Sequence, residues 1–228
     1  MNKSRHSNKK VLASQLFQKL ITLSKYTDAA SMITLFTFRP SEEIYRSGKN
    51  AGGVYYVSSG LVKQMRLQET GDEPMVRLTS GREFLGILSL VRGYRFTSTA
   101  IAVNNVEAYM ISRNFFTKAL DTDYEFSYLF LQYLLESIYI AETRISELIT
   151  KNVEQRIAIA LLSLYTQNGT VKKVMIQKKD LAAIAGTIQE TISRKLALMA
   201  KKKLIKLKGK EIIINDLDGL IRLSKIVN

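Results

Sequence analysis

Residues 177–203, QKKDLAAIAGTIQETISRKLALMAKKK, admit few folds. Leu181, Ala182, Ile184 and Ala185 give a short first helix one small apolar face. Gly186 follows where that helix must end and the backbone must turn sharply, a conformation glycine adopts cheaply. Thr187 and Glu190 have the T-x-x-E spacing of a capping box, which predicts a second helix from Thr187. Ile192, Leu196 and Met199 recur at helical spacing and would bury it against the first. Gln189, Glu190, Ser193 and Arg194 fall on the opposite face, with Lys195 at its side.

The flanks are basic. Lys178 and Lys179 open the first helix, and Lys201, Lys202 and Lys203 close the second. Residues 204–207 and 211–214 read as two short strands around the tip Lys208-Gly209-Lys210. Helix, turn, helix and hairpin make a winged helix–turn–helix. A surface helix pair with a solvated polar face would share the apolar pattern, but the charge is placed as a phosphate footprint requires. Of a net +14, residues 151–228 hold 16 basic and 6 acidic side chains. Residues 11–150 hold 14 of each and are neutral. Lys178, Lys179, Lys195, Lys201, Lys202, Lys203, Lys208 and Lys210 are the candidates for phosphate contact, which positions without specifying. Gln189, Glu190, Ser193 and Arg194 are the candidates for reading bases: arginine can bind guanine O6 and N7, glutamate can accept from cytosine N4, and serine can contact either kind of base.

The run Gln189-Glu190-Thr191-Ile192-Ser193-Arg194, just after Ala185-Gly186, resembles the recognition helix of the Crp/Fnr family of bacterial transcription regulators. The E-x-x-S-R spacing resembles the Fnr branch; the Crp branch has glycine where Ser193 stands. Asn152-Val153-Glu154-Gln155-Arg156-Ile157-Ala158 resembles the family's D-V-x-x-R-I-A domain start, with asparagine replacing aspartate as a helix cap. The resemblance implies that Arg194 reads guanine, Glu190 the paired cytosine region and Ser193 a neighbouring thymine, in a TTGA…TCAA-type palindrome. Gln189 matches neither branch.

Residues 31–112 have a different texture. Short alternating apolar segments at 32–38, 54–56, 61–67, 75–78, 97–103 and 107–111 lie between turns such as Ser47-Gly48, Ser59-Gly60, Thr70-Gly71-Asp72 and Asn104-Asn105. This predicts a small antiparallel roll. Residues 52–63 resemble a strand–turn–strand of the cyclic-nucleotide-binding fold, and GREFLGILSL at 81–90 resembles its phosphate-binding segment. That fold uses an acid for the ribose and an arginine for the cyclic phosphate. Here Ile87 stands in the acid's place and the downstream arginine is displaced. An effector pocket, if used, would draw on Gly86, Ile87, Arg92, Arg95, Thr97 and Ser98, and cyclic AMP is not its expected ligand. With no cysteine, disulfides and cysteine-held iron–sulfur clusters are excluded; with His6 alone in the tail, so is a histidine-ligated haem or zinc in the core. No cofactor is expected. Nucleophile–base pairs, P-loops and metal-ligand spacings are likewise missing from the sequence, so an enzyme is not expected.

Residues 114–122 read as a short helix and 123–149 as a long one. Leu131, Leu134, Ile138, Ala141, Ile145 and Leu148 follow a 3.5-residue period, the seam of a two-stranded coiled coil, while Phe126, Phe130 and Tyr133 line a second side that would pack on the roll. Residues 1–10 are basic and expected to be mobile, and a helix is expected over 11–26.

These expectations give an α+β chain: a tail and helix over 1–30, a roll over 31–118, a dimerisation helix over 119–150 and a winged helix–turn–helix over 151–228. The function expected is a cytoplasmic, homodimeric, sequence-specific transcription regulator whose partners are double-stranded DNA, a second copy and RNA polymerase, with no membrane role. The alternative is a sensor whose DNA binding requires a small ligand other than cyclic AMP.

Overall fold

A computed structural model describes residues 2–25, 32–68, 71, 74–91, 94–167, 173–209 and 211–225. The fold is α+β and divides into two compact units, Met1–Ala141 and Glu142–Asn228.

The first unit begins with α1 (Asn2–Ser24) and continues through β1 (Ile33–Phe38), β2 (Glu43–Tyr45), β3 (Gly53–Ser59), β4 (Leu61–Met65), β5 (Met75–Ser80), β6 (Glu83–Leu85), α2 (Ile87–Val91), β7 (Thr99–Ala102) and β8 (Val106–Ser112). The helices α3 (Arg113–Thr122) and α4 (Tyr124–Thr150) follow, with the part of α4 from Glu142 onward belonging to the second unit. The strands form two four-stranded antiparallel sheets, ordered β1-β8-β3-β6 and β2-β7-β4-β5, which is the expected roll. Strand β3 shows how two cores share one strand. Val54 and Tyr56 face a core built with α1, α3 and α4, whereas Tyr55 and Val57 face the interior between the sheets. Phe126, Phe130 and Tyr133 of α4 are buried in the first of these, as their spacing predicts. The short elements β2, β6 and α2 escape periodicity because three to five residues do not complete a pattern. Ser112 Oγ accepts from Phe115 N–H to start α3, and Asp123 Oδ1 accepts from Phe126 N–H at 2.8 Å to start α4.

One expectation is corrected. Residues 2–10 are not a mobile tail but the first turns of α1. Lys9 is buried, with Nζ 2.7 Å from Glu83 Oε2, and Arg77 Nη2 lies 2.6 Å from the same oxygen. Lys10 Nζ donates to Ser80 Oγ at 2.6 Å, and Tyr133 Oη accepts from Phe84 N–H at 3.3 Å. Burial raises the Glu83 carboxyl, but Arg77 and Lys9 outweigh it and hold the group at about 2. Burial, aided by Arg77, brings Lys9 down to about 8. The sequence shows Lys9 as one charge among four; its partners lie some seventy positions away in the chain.

The second unit contains α5 (Val153–Gln167), β9 (Lys173–Met175), α6 (Lys178–Ala185), α7 (Gln189–Lys201), β10 (Ile205–Lys208), β11 (Glu211–Ile214) and α8 (Leu217–Lys225). The strands form one antiparallel sheet, β10-β11-β9. Asn152 Oδ1 accepts from Gln155 N–H at 3.0 Å while Gln155 Oε1 accepts from Asn152 N–H at 2.8 Å, a reciprocal capping box that starts α5. Asp216 caps α8 through Gly219 N–H at 2.7 Å. Ile157, Leu161, Leu181, Ile192, Leu196, Met199, Ile212 and Leu220 are among the buried side chains of this unit.

Candidate nucleic-acid interface

The turn between α6 and α7 is determined twice. Gly186 sits in the left-handed region (φ 61, ψ 50), and a Cβ there would stand 2.5 Å from Leu148 Cδ2. Gly186 N–H donates to Ala183 O at 3.2 Å and Thr187 N–H to Ala182 O at 3.0 Å, the paired bonds of a Schellman ending. Arg156, from α5, then grips the turn: Nε donates to Ala185 O at 2.7 Å, Nη2 to Gly186 O at 3.2 Å, and Nη1 to Lys151 O at 2.6 Å.

The expected capping box at Thr187 does not form. Helix α7 starts at Gln189, its cap residue is Ile188 in extended conformation, and no side chain caps it. The physical reason is that Thr187 N–H completes α6, so the chain needs one more extended residue before helical geometry resumes. Glu190 is thereby released from a capping role and is exposed.

Ile192, Leu196 and Met199 are buried, as expected. Gln189, Glu190 and Arg194 are exposed on α7, and Ser193 is half-buried beside them. Lys178, Lys179, Lys201 and Lys203 are exposed, as is Lys208 beside the hairpin tip at Gly209. Lys210 lies outside the described residues. Two of the phosphate candidates are already engaged. Glu154 of α5 takes Lys202 Nζ at 2.8 Å and Lys195 Nζ at 3.3 Å. Hydrogen bonds from Lys202 and, less strongly, Lys195 hold the Glu154 carboxyl below its ordinary value against the opposing effect of burial. The sequence gives no sign of this three-residue tie, because its ends are some forty positions apart.

On α4 the structure separates the apolar positions. Leu134 is half-buried against the first unit's own core. The positions left exposed are Tyr124, Tyr128, Leu131, Leu135, Ile138, Tyr139, Ile145, Leu148 and Ile149, together with Ala141. All but Tyr139, Ala141 and Leu148 keep a spacing of four and three, interrupted only at Glu142. Leu135, 57% exposed, therefore replaces Leu134 in the open stripe, and Leu148 is shared with the Gly186 turn.

The effector candidates do not converge. Gly86 (φ 81) backs onto the Phe96 ring, which a Cβ would meet at 3.0 Å. That ring stacks on Tyr45 at 4.0 Å and belongs to the core between the sheets. Ile87 packs on the other core. Arg95 is exposed, with Nη1 donating to Gly48 O at 2.9 Å. Ser98 is buried, 3.4 Å from Gln64 Nε2; Thr97 is half-buried; Arg92 lies outside the described residues. Two clefts among the described residues, of about 280 and 340 Å³, are open ones around Asn50 and Tyr94. No group of acidic or histidine side chains among those residues is arranged to hold a metal, and no helix among them is long and apolar enough to cross a membrane.

Comparison with known proteins agrees with this layout. Residues 35–123 match the cyclic nucleotide-binding domain and residues 155–223 the Crp-like helix-turn-helix domain. The CRP-like cAMP-activated global transcriptional regulator of Mycobacterium tuberculosis is 26% identical over 194 residues, covering 82% of this chain and 87% of that protein. The global nitrogen regulator of Synechococcus elongatus is 28% identical over 185 residues, covering 78% and 83%. The structure of FixK2 from Bradyrhizobium japonicum superposes with a TM-score of 0.74 at 21% identity, covering 86% of this chain and 99% of that one.

Proposed function

The chain belongs to the Crp/Fnr family of DNA-binding transcription regulators, and on that premise we propose that it acts as a homodimer reading a TTGA…TCAA-like palindrome without cyclic AMP. The family's members are regulators, not enzymes. The observation that carries the finer reading is the start of α7. Gln189, Glu190 and Arg194 are exposed at the end of a helix whose entry angle is fixed by Gly186 and Arg156. The N-terminal residues of such a helix are the ones that reach base edges. Arg194 is assigned to guanine, Glu190 to the paired cytosine and Ser193 to a neighbouring thymine; Gln189 completes the reading face. Lys178, Lys179, Lys201, Lys203 and Lys208 are assigned to phosphates, with Lys195 and Lys202 reaching them only on leaving Glu154.

Pairing of two chains is supported by the exposed stripe on α4, a run of large apolar side chains that water does not favour. Two recognition helices one turn of DNA apart then match a palindrome. Independence from cyclic AMP is supported by the roll: Phe96 occupies the space behind Gly86, Ile87 has no carboxylate to offer, and Arg95 is turned to a backbone carbonyl. On this reading Ile87 and Arg95 do not supply the acid and the arginine that a cyclic nucleotide takes. Such a protein works in the cytoplasm and delivers its signal to RNA polymerase.

The test is binding of ligand-stripped protein to the palindrome and to a scrambled duplex at two salt concentrations. Selective binding with a steep salt dependence is expected. Equal affinity for both duplexes would overturn the base-reading assignments, and selectivity that returns only on adding cyclic AMP would overturn the ligand-free reading.

A further inference from the structure

Ile188 breaks two local preferences at one place. It caps α7 with an extended backbone (φ −94, ψ 157) and offers no acceptor to the free N–H groups that follow; isoleucine is among the poorest residues for that position. Its side chain is also 63% exposed, although nothing polar recommends it to water. Neither capping nor burial accounts for the residue. Departures from local rules concentrate where a protein meets its ligand. Ile188 stands directly before the exposed pair Gln189 and Glu190, at the end of the helix assigned to the major groove.

The surroundings say what covers it. The exposed cations on this pair of helices and just after them, Lys178, Lys179, Arg194, Lys201 and Lys203, suit a polyanion rather than an apolar protein surface. On the floor of the major groove the apolar feature is the thymine C5-methyl group, and aliphatic side chains read it by contact. We propose that Ile188 is a specificity-determining residue that packs on the C5-methyl of a thymine in each half-site. The assignment rests on the DNA-binding reading above and adds to it a base contact that carries no hydrogen bond.

Deoxyuridine differs from thymidine only by that methyl, so it isolates the contact. The full chain is first allowed to select its site from a random duplex pool. Each thymine of the selected half-site is then replaced by deoxyuridine, symmetrically, and affinities are measured for the wild type and for Ile188→Ser, which restores a good cap and so keeps α7 formed. One replacement is expected to weaken the wild type about fourfold per half-site, the equivalent of one buried methyl group, and on the order of tenfold for the pair. Ile188→Ser is expected to bind the thymine and uracil duplexes alike at that position. If the wild type selects a site but ignores every replacement, or if Ile188→Ser keeps the full thymine preference, the assignment falls while DNA recognition stands. If the wild type selects no sequence at all, both fall together.

Discussion

Replacing Gly186 separates two effects that the structure superposes. An L-residue in the left-handed region costs roughly 1–2 kcal/mol through contact of its Cβ with the following carbonyl. The same Cβ would also lie 2.5 Å from Leu148 Cδ2. Leu148 is 42% exposed and the atom is the tip of its side chain, so a rotation removes the clash at small cost, whereas no rotation removes the backbone strain. Backbone strain should therefore win. Gly186→Ala is expected to lower the stability of the second unit by about 1–2 kcal/mol, a fall in its melting temperature of roughly 4–16 °C. Gly186→Asn, with the same Cβ but a side chain that tolerates this conformation, should cost clearly less. Leu148→Ala should not rescue either. Because Arg156 holds the Ala185 and Gly186 carbonyls, the start of α7 moves with the turn, so selective DNA binding should fall more than binding to scrambled duplex. The assays are calorimetry of the full chain and fluorescence anisotropy on both duplexes. Equal losses for alanine and asparagine, both recovered by Leu148→Ala, would show that the side-chain contact dominates and would refute the reasoning.

Other perturbations discriminate the remaining assignments. Arg194→Ala should lose roughly 1–3 kcal/mol on the cognate half-site and little on scrambled DNA, whereas Lys208→Ala should weaken both alike and reduce the salt slope by about one per chain in titrations at several salt concentrations. Leu135→Glu should yield a folded monomer in analytical ultracentrifugation, while Leu134→Glu should instead lower the melting temperature of the first unit, because its side chain packs on that unit's own core; the reverse pattern would put the seam back on Leu134. Glu83 titrates at about 2 in the fold against an ordinary 4.5, so the unfolded chain takes up the proton first as pH falls. Its contribution, about 3 kcal/mol, is then complete above pH 4.5 and lost as pH approaches 2. Glu83→Gln should flatten that acid limb in pH-dependent melts and, by leaving Lys9 buried beside Arg77 without a counter-charge, cost roughly 3 kcal/mol at neutral pH; an unchanged limb would remove Glu83 from the account.

What was legible in the sequence was whatever depends on neighbours along the chain. The period of Ile192, Leu196 and Met199 gave the buried face of α7, and Gly186 gave the turn before it. Short apolar segments between turn signals and two-sided apolarity in α4 gave the roll and the helix packed on it. What escaped depends on distant partners. Lys9 reads as a tail charge until Glu83 is beside it, and Lys195 and Lys202 read as phosphate ligands until Glu154 is. The start of α7 failed for a subtler reason: two local rules competed for one residue. Thr187 satisfies the capping-box pattern, but its N–H is needed to finish α6, and the Schellman ending removes it from the next helix. The helix then begins two residues later with the poor cap Ile188. That displacement leaves Glu190 exposed and presents Ile188 beside it, so the place where the local rule fails lies on the face proposed to read DNA.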